Sequence, residues 1–225
     1  MRSILRQLSA DSRYVLVGFP TSVLAFVLLV AGGALGLGTA LLGVGLPILA
    51  ATLRVARGFA ATERALAPIV LGHTLGTPRH RSAAASDRGF RSVITPLTCP
   101  QSWMDVAHGI LRFPLAVVTF VLVVVWWAVA LAGVTYPAYA WIVHGIPGNH
   151  GLVELLGYGD SLGLAVLAHT GIGILFAATL PIVVRGAALV QASLAQGFLA
   201  PLPPLAPEGT PNPEPAPQGP GTTLT

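Results

Sequence analysis

The sequence predicts an all-α membrane protein with four transmembrane helices and two interfacial amphipathic helices in its cytoplasmic loop. Three observations lead there. Only 9% of the 225 residues are charged, against about 25% in a soluble domain. Two long uncharged runs, Tyr14–Leu53 and Phe113–Val143, dominate the chain. The cations are all arginine, and they cluster on alternate connecting segments.

Arg2, Arg6 and Arg13 precede the first apolar run. That run far exceeds the ~7–15 residues of a signal-peptide core, so it reads as a retained anchor behind a cytoplasmic N-terminus, residues 1–13. Its 40 residues would make a helix of ~60 Å, twice a ~30 Å hydrocarbon core. The chain must therefore fold back, and Gly32, Gly33, Gly36 and Gly38 mark the place. Helices are expected near 15–35 and 38–56, with Pro47 kinking the second. Gly32, Gly36 and Ala40 lie four residues apart, a spacing that lets membrane helices approach closely.

The cytoplasmic loop, 57–112, carries helical signals of its own. Val55, Phe59, Leu66 and Val70 recur at helical spacing beside Arg57, Glu63 and Arg64, which predicts an amphipathic helix on the membrane face. Residues 76–92 are polar and rich in Arg and Ser. Ser102 and Asp105 then resemble a capping box, and Trp103, Ala107, Ile110 and Leu111 give a second apolar stripe leading to Pro114. A third span is expected at 114–136, followed by an interfacial cluster of Tyr136, Tyr139 and Trp141. The external loop is placed at 137–160. The fourth span, 162–184, contains His169 and Pro181. Residues 201–225 hold nine prolines and cannot build a core, so disorder is expected there. The four-helix domain spans 14–200.

Orientation follows from the arginines. Besides the first three, Arg54, Arg57, Arg64, Arg79, Arg81, Arg88, Arg91 and Arg112 lie between the second and third spans, and Arg185 follows the fourth. The segment between the third and fourth spans has none. The positive-inside rule then puts both termini in the cytoplasm of a multi-pass plasma-membrane protein.

The layout resembles the sensor domain of actinobacterial two-component histidine kinases, a four-helix membrane module. The resemblance rests on residues 36–66 and 102–120, above all on the patterns Arg57–Glu63–Arg64 and Trp103–Asp105–Arg112–Pro114. It covers about residues 12–200. It implies signal transduction, with those six charged and aromatic positions, Arg57, Glu63, Arg64, Trp103, Asp105 and Arg112, as candidate coupling residues. Many members of the family continue into a phospho-accepting helix and an ATP-binding domain. Here only the proline-rich segment follows, so the expectation is a stand-alone sensor that signals to a separate histidine kinase or regulator.

No catalytic constellation stands out, and an enzyme is the least expected class. The glycines Gly36, Gly38, Gly43 and Gly45 match neither a dinucleotide loop nor a phosphate loop. Cys99 is the sole cysteine, which excludes an intramolecular disulfide and a cysteine metal site. His144, His150 and Glu154 sit in the external loop, the natural place for a stimulus to act, but their spacing fits no defined metal site. His169 is ionisable within a span and is therefore a candidate sensing residue, with a neutral hydrogen-bonded histidine as the alternative. No cofactor and no nucleic-acid partner are expected. The bilayer is the first partner, and a homodimer is compatible with the pattern. The competing reading is a membrane scaffold or small transport-related protein. For transport the spans offer few polar groups: His169, Thr21, Ser22, Thr39, Thr119, Thr170 and Thr179.

Overall fold

The computed structural model describes residues 2–74, 95–146, 157 and 161–199. Four helices make up the fold: α1 (Arg2–Gly38), α2 (Gly45–Leu71), α3 (Pro100–His144) and α4 (Leu162–Leu199). Short 3-10 turns lie at Ala40–Leu42 and Thr95–Thr98, and no strand occurs among the described residues. Three helices are long and apolar enough to cross a membrane: α1 from Leu5 onward, α3 and α4. In α2 the apolar sequence is interrupted by Arg54, Arg57, Glu63 and Arg64. The 45 residues of α3 extend ~67 Å, more than twice a ~30 Å hydrocarbon core. The polar stretch 76–92 and the proline-rich segment 201–225 lie outside the described residues.

The fold-back comes later than the glycine cluster suggests. The turn occupies residues 39–44 and closes on Gly43, whose φ of 77° suits a residue without a Cβ. Gly32 and Gly36 lie inside α1 and face α2. A Cβ on Gly32 would collide with Thr52 Oγ1, and one on Gly36 would meet Leu49 at 2.5 Å. Ala40 falls in the turn and does not continue the α1 stripe, although its backbone lies close against Gly45. Pro47 does not kink α2, because the helix starts at Gly45 and a first-turn residue needs no intrahelical N–H bond.

The separately expected elements merge. The segment around 55–70 is one helix with the 45–54 segment, and the 100–112 segment runs unbroken through Pro114 and Pro137 to His144. Residues 137–144 therefore belong to α3 and not to a loop, and α4 continues past Pro181 to Leu199. Pro114 and Pro137 face outward, where a helix tolerates them without disturbing its packed side. Ser102 and Asp105 are no cap. The helix begins two residues earlier at Pro100, with Cys99 at the N-cap, and both side chains are buried.

The direction of α1 also departs from expectation. Phe26 stacks on Phe113 with ring centroids 4.3 Å apart, and Phe19 stacks on Phe120 at 4.2 Å. Farther along, Trp127 Nε1 donates to Ser12 Oγ at 3.3 Å. Early residues of α1 thus meet late residues of α3, and the two helices run antiparallel. Helix α4 is antiparallel to α3 as well: Gly133 touches the backbone of Gly173, while Gln191 reaches Thr119. So α1 and α4 run one way, α2 and α3 the other. The 39–44 turn lies at the Pro100 end of the bundle, opposite the His144 end. An arrangement in which the first and third spans rise together, with both turns on the outer face, is not the one adopted.

The buried faces carry small residues. On α2 the inward stripe is Leu53, Ala56, Ala60, Glu63, Ala67 and Val70, while Val55 and Leu66 point outward. On α3 the inward positions include Gln101, Ser102, Asp105, His108 and Arg112, and Trp103, Ile110 and Leu111 point outward. The expected amphipathic periodicity is present, but large apolar side chains face out and polar ones face in. That polarity suits an apolar surrounding, in which small residues mediate helix contact.

Candidate functional site: a buried ionic seam

Where α2 and the first turns of α3 run side by side, their polar stripes meet. Arg64 Nη2 donates to Asp105 Oδ1 at 2.7 Å. Arg112 Nη1 pairs with Glu63 Oε2 at 2.5 Å. Arg57 donates from Nε and Nη2 to Ser102 Oγ, at 3.0 and 2.6 Å. The helical spacing explains the alignment. Ser102, Asp105 and Arg112 lie three and seven residues apart on one face of α3, and Arg57 and Arg64 are two turns apart on α2.

The other helices tie into the same seam. Tyr14 of α1 donates its hydroxyl to Glu63 Oε1. The Arg64 Nε–H bonds the carbonyl of Leu199 at the end of α4, 3.1 Å away. Gln191 of α4 donates to Thr119 at 2.5 Å. Gly18 makes room for the arginine, since a Cβ there would stand 3.1 Å from Arg112 Nη2. One charged group, Glu63, therefore contacts α1 and α3 together, and Arg64 contacts α3 and α4 together.

The seam is dry. Glu63 and Asp105 are each 1% exposed, and Arg112 is 7% exposed. Burial pushes the Glu63 carboxyl above its ordinary range, against the pull of the Arg112 guanidinium and the Tyr14 hydroxyl. His108 is buried among these groups with no hydrogen-bond partner for either ring nitrogen among the described residues, and the same holds for Gln101 Nε2 and Gln191 Oε1. Taking each ion from water costs several kcal/mol, and the pairs offset that cost only while the helices keep this register. A shift of α2 along α3 would leave buried charges unpaired. The arrangement has the properties of a latch between helices.

Of the sequence-derived candidates, Arg57, Glu63, Arg64, Asp105 and Arg112 come together here. Trp103 does not. It is 49% exposed and donates to the carbonyl of Leu97 at 3.0 Å. His144 lies at the exposed end of α3, and His150 and Glu154 lie outside the described residues. His169 lies near the start of α4, away from the seam at the other end of that helix. Its ring stacks on Tyr136 at 4.3 Å with a 10° interplanar angle, and Nδ1 lies 2.8 Å from the Ala165 carbonyl of its own helix. No cluster of three or more metal-ligating side chains occurs among the described residues.

Ser102 was read only as part of a helix cap, and Tyr14, His108 and Gln191 are seam residues that sequence reasoning did not single out. A signal existed for the last two, since polar side chains inside apolar helices mark special positions. Asp11 was missed too. It pairs with Arg185 at 3.2 Å and ties α1 to α4.

Residues 14–199 match the family model "Sensor", described as "Putative sensor". The match covers most of the chain and includes every residue of the seam. The chain belongs to this sensor family, and its three long apolar helices make it a membrane protein. No curated protein and no solved structure matches it.

Proposed function

We propose that this chain is a membrane-embedded signalling module in which the seam couples the α1–α2 hairpin to the α3–α4 hairpin and passes the change to a separate partner. The observation that carries the reading is the pair of buried ion pairs, Arg64–Asp105 and Glu63–Arg112, joining α2 to α3 in a chain of which only 9% is charged. Buried ion pairs are poor stabilisers compared with apolar packing of equal volume, and they are well suited to fixing one register among several. Membership of the sensor family points the same way.

The output is placed at the Pro100 end of the bundle. Arg64 holds the last carbonyl of α4 there, close to the Arg57–Ser102 contact. A histidine kinase or response-regulating protein is the class of partner such a surface would serve, and the module itself performs no catalysis. The arrangement of four spans with both termini cytoplasmic is not part of this proposal, because it needs α1 and α3 to run parallel.

The test compares a strain deleted for the chain with strains complemented by wild type or by Arg64→Met with Asp105→Leu. Phosphorylation of the cell's response regulators is followed on phosphate-affinity gels. Wild type should restore a regulator signal lost on deletion, and the uncharged, folded double variant should not. If deletion changes no regulator, or if the double variant restores the signal fully, the proposal fails.

A further inference from the structure

The face of α3 that carries the ion pairs also carries buried donors with nothing to donate to. His108 follows Asp105 by three residues and precedes Arg112 by four, so the three side chains share one face at about one turn, ~5.4 Å, apart. Asp105 holds the Arg64 guanidinium at 2.7 Å. Both guanidiniums, Arg112 and Arg64, act electrostatically on the imidazole between them. The ring of Phe198 closes the α4 side, its centroid 6.5 Å from that of His108. All three polar side chains, Arg64, His108 and Arg112, are more than nine-tenths buried. Yet Arg64 Nη1, Arg112 Nε and both ring nitrogens of His108 have no hydrogen-bond partner among the described residues. Burying such donors bare is costly, and more so when they are charged.

The charge does not balance either. Among the described residues the seam sets three arginines, Arg57, Arg64 and Arg112, against the carboxylates of Glu63 and Asp105. Arg57 directs its donors to the neutral hydroxyl of Ser102. One positive charge is therefore in excess in a surrounding of low dielectric. A cation at His108 would meet guanidinium N–H groups on both sides. A doubly charged oxyanion would overshoot the balance. A monovalent anion satisfies the donors and the charge together.

We propose that the seam binds one small monovalent anion of the halide class beside His108, held by N–H groups of Arg64, Arg112 and the imidazole. Water in the same place satisfies the donors and leaves the charge, so dependence on halide at constant ionic strength separates the two. Binding of the ion is independent of any signalling by the seam and is read without a signalling assay.

The test melts the full-length protein in phosphatidylcholine nanodiscs, followed by helical circular dichroism, with chloride exchanged for gluconate at constant ionic strength. For a site half-filled at about 1 mM, raising chloride from about 1 to about 100 mM should raise the midpoint by roughly 5–9 °C. Bromide should act as chloride does, and sulfate should not. Arg57→Met removes the excess charge and should cost at least about tenfold in apparent affinity. His108→Phe removes one donor and should cost about fivefold. Arg13→Gln changes an exposed arginine and should leave the affinity intact. Chloride NMR line broadening, measured on the folded protein against empty nanodiscs, gives the affinity of each variant independently of its melt. A midpoint that moves by less than about 1 °C with chloride, an equal response to sulfate, or a halide affinity unchanged in both Arg57→Met and His108→Phe would each overturn the proposal.

Discussion

Replacing Asp105 by Ala removes one half of a buried pair and leaves the Arg64 charge buried with the Leu199 carbonyl as its remaining partner. The Arg64 and Asp105 side chains are 8% and 0% exposed, and their charged atoms are 2.7 Å apart. At that distance the attraction is about 6 kcal/mol for an effective dielectric of about 20. Desolvation offsets most of it in the intact pair, but breaking such a pair costs about 3–5 kcal/mol because the surviving charge stays buried. For a chain of this size that corresponds to a fall in melting temperature of roughly 6–20 °C. The melt is followed in nanodiscs through the fluorescence of the four tryptophans. A second variant separates charge from packing. Arg64→Met with Asp105→Leu should return to within about 1 kcal/mol of wild type, since apolar replacement of both partners is often neutral. A fall of less than about 2 °C for Asp105→Ala would refute the reasoning, because it would mean that Arg64 finds water or another partner at negligible cost.

Three further outcomes follow from the packing. Asp11→Asn should cost less than about 1 kcal/mol in the same melt, because Arg185 is 33% exposed and can turn to solvent or headgroups; a loss as large as that of Asp105→Ala would contradict the assignment. Gly133→Leu should destabilise by at least about 1–3 kcal/mol, because even a Cβ at Gly133 would stand 2.5 Å from Gly173 Cα; a wild-type melt would deny that α3 and α4 touch there. His169→Phe should stay within about 1 kcal/mol of wild type, since the stack on Tyr136 is retained, and loss of output in a normally folded His169→Phe protein would give the imidazole a role beyond packing.

Much of the seam was legible because charge is so scarce in this chain. Arg57, Glu63, Arg64, Asp105 and Arg112 stand out against apolar neighbours, and their helical spacing is readable without a structure. Their mutual pairing was not, because spacing along one helix says nothing of which helix lies opposite. Tyr14 escaped notice for a related reason. A tyrosine at the start of an apolar run resembles an interfacial anchor, and only the packing of α1 on α2 shows that its hydroxyl meets Glu63. The apolar stripe of Val55, Phe59, Leu66 and Val70 was read as the membrane side of an interfacial helix, and Val55 and Leu66 do point outward whereas Val70 is buried. What that reading did not contain is the inner face, which is built of the small residues Ala56, Ala60 and Ala67 with Glu63 among them. Arginine counting ranks segments by side and carries no information on helix contacts. The antiparallel fit of α1 on α3 depends on Phe19, Phe26 and Ser12 meeting Phe120, Phe113 and Trp127, which no count of charges contains.

The account rests on α1 lying antiparallel to α3 with the seam between the hairpins, and cysteine cross-linking in native membranes tests that most directly. In a Cys99→Ser background, Phe26→Cys is paired either with Phe113→Cys or with Val125→Cys, and a short thiol cross-linker is added. The structure places Phe26 against Phe113, with ring centroids 4.3 Å apart, whereas parallel spans would bring Phe26 level with Val125. Efficient cross-linking of 26 to 113 and none of 26 to 125 is the predicted result. The opposite pattern would contradict the helix arrangement, and with it the seam as the link between the two hairpins.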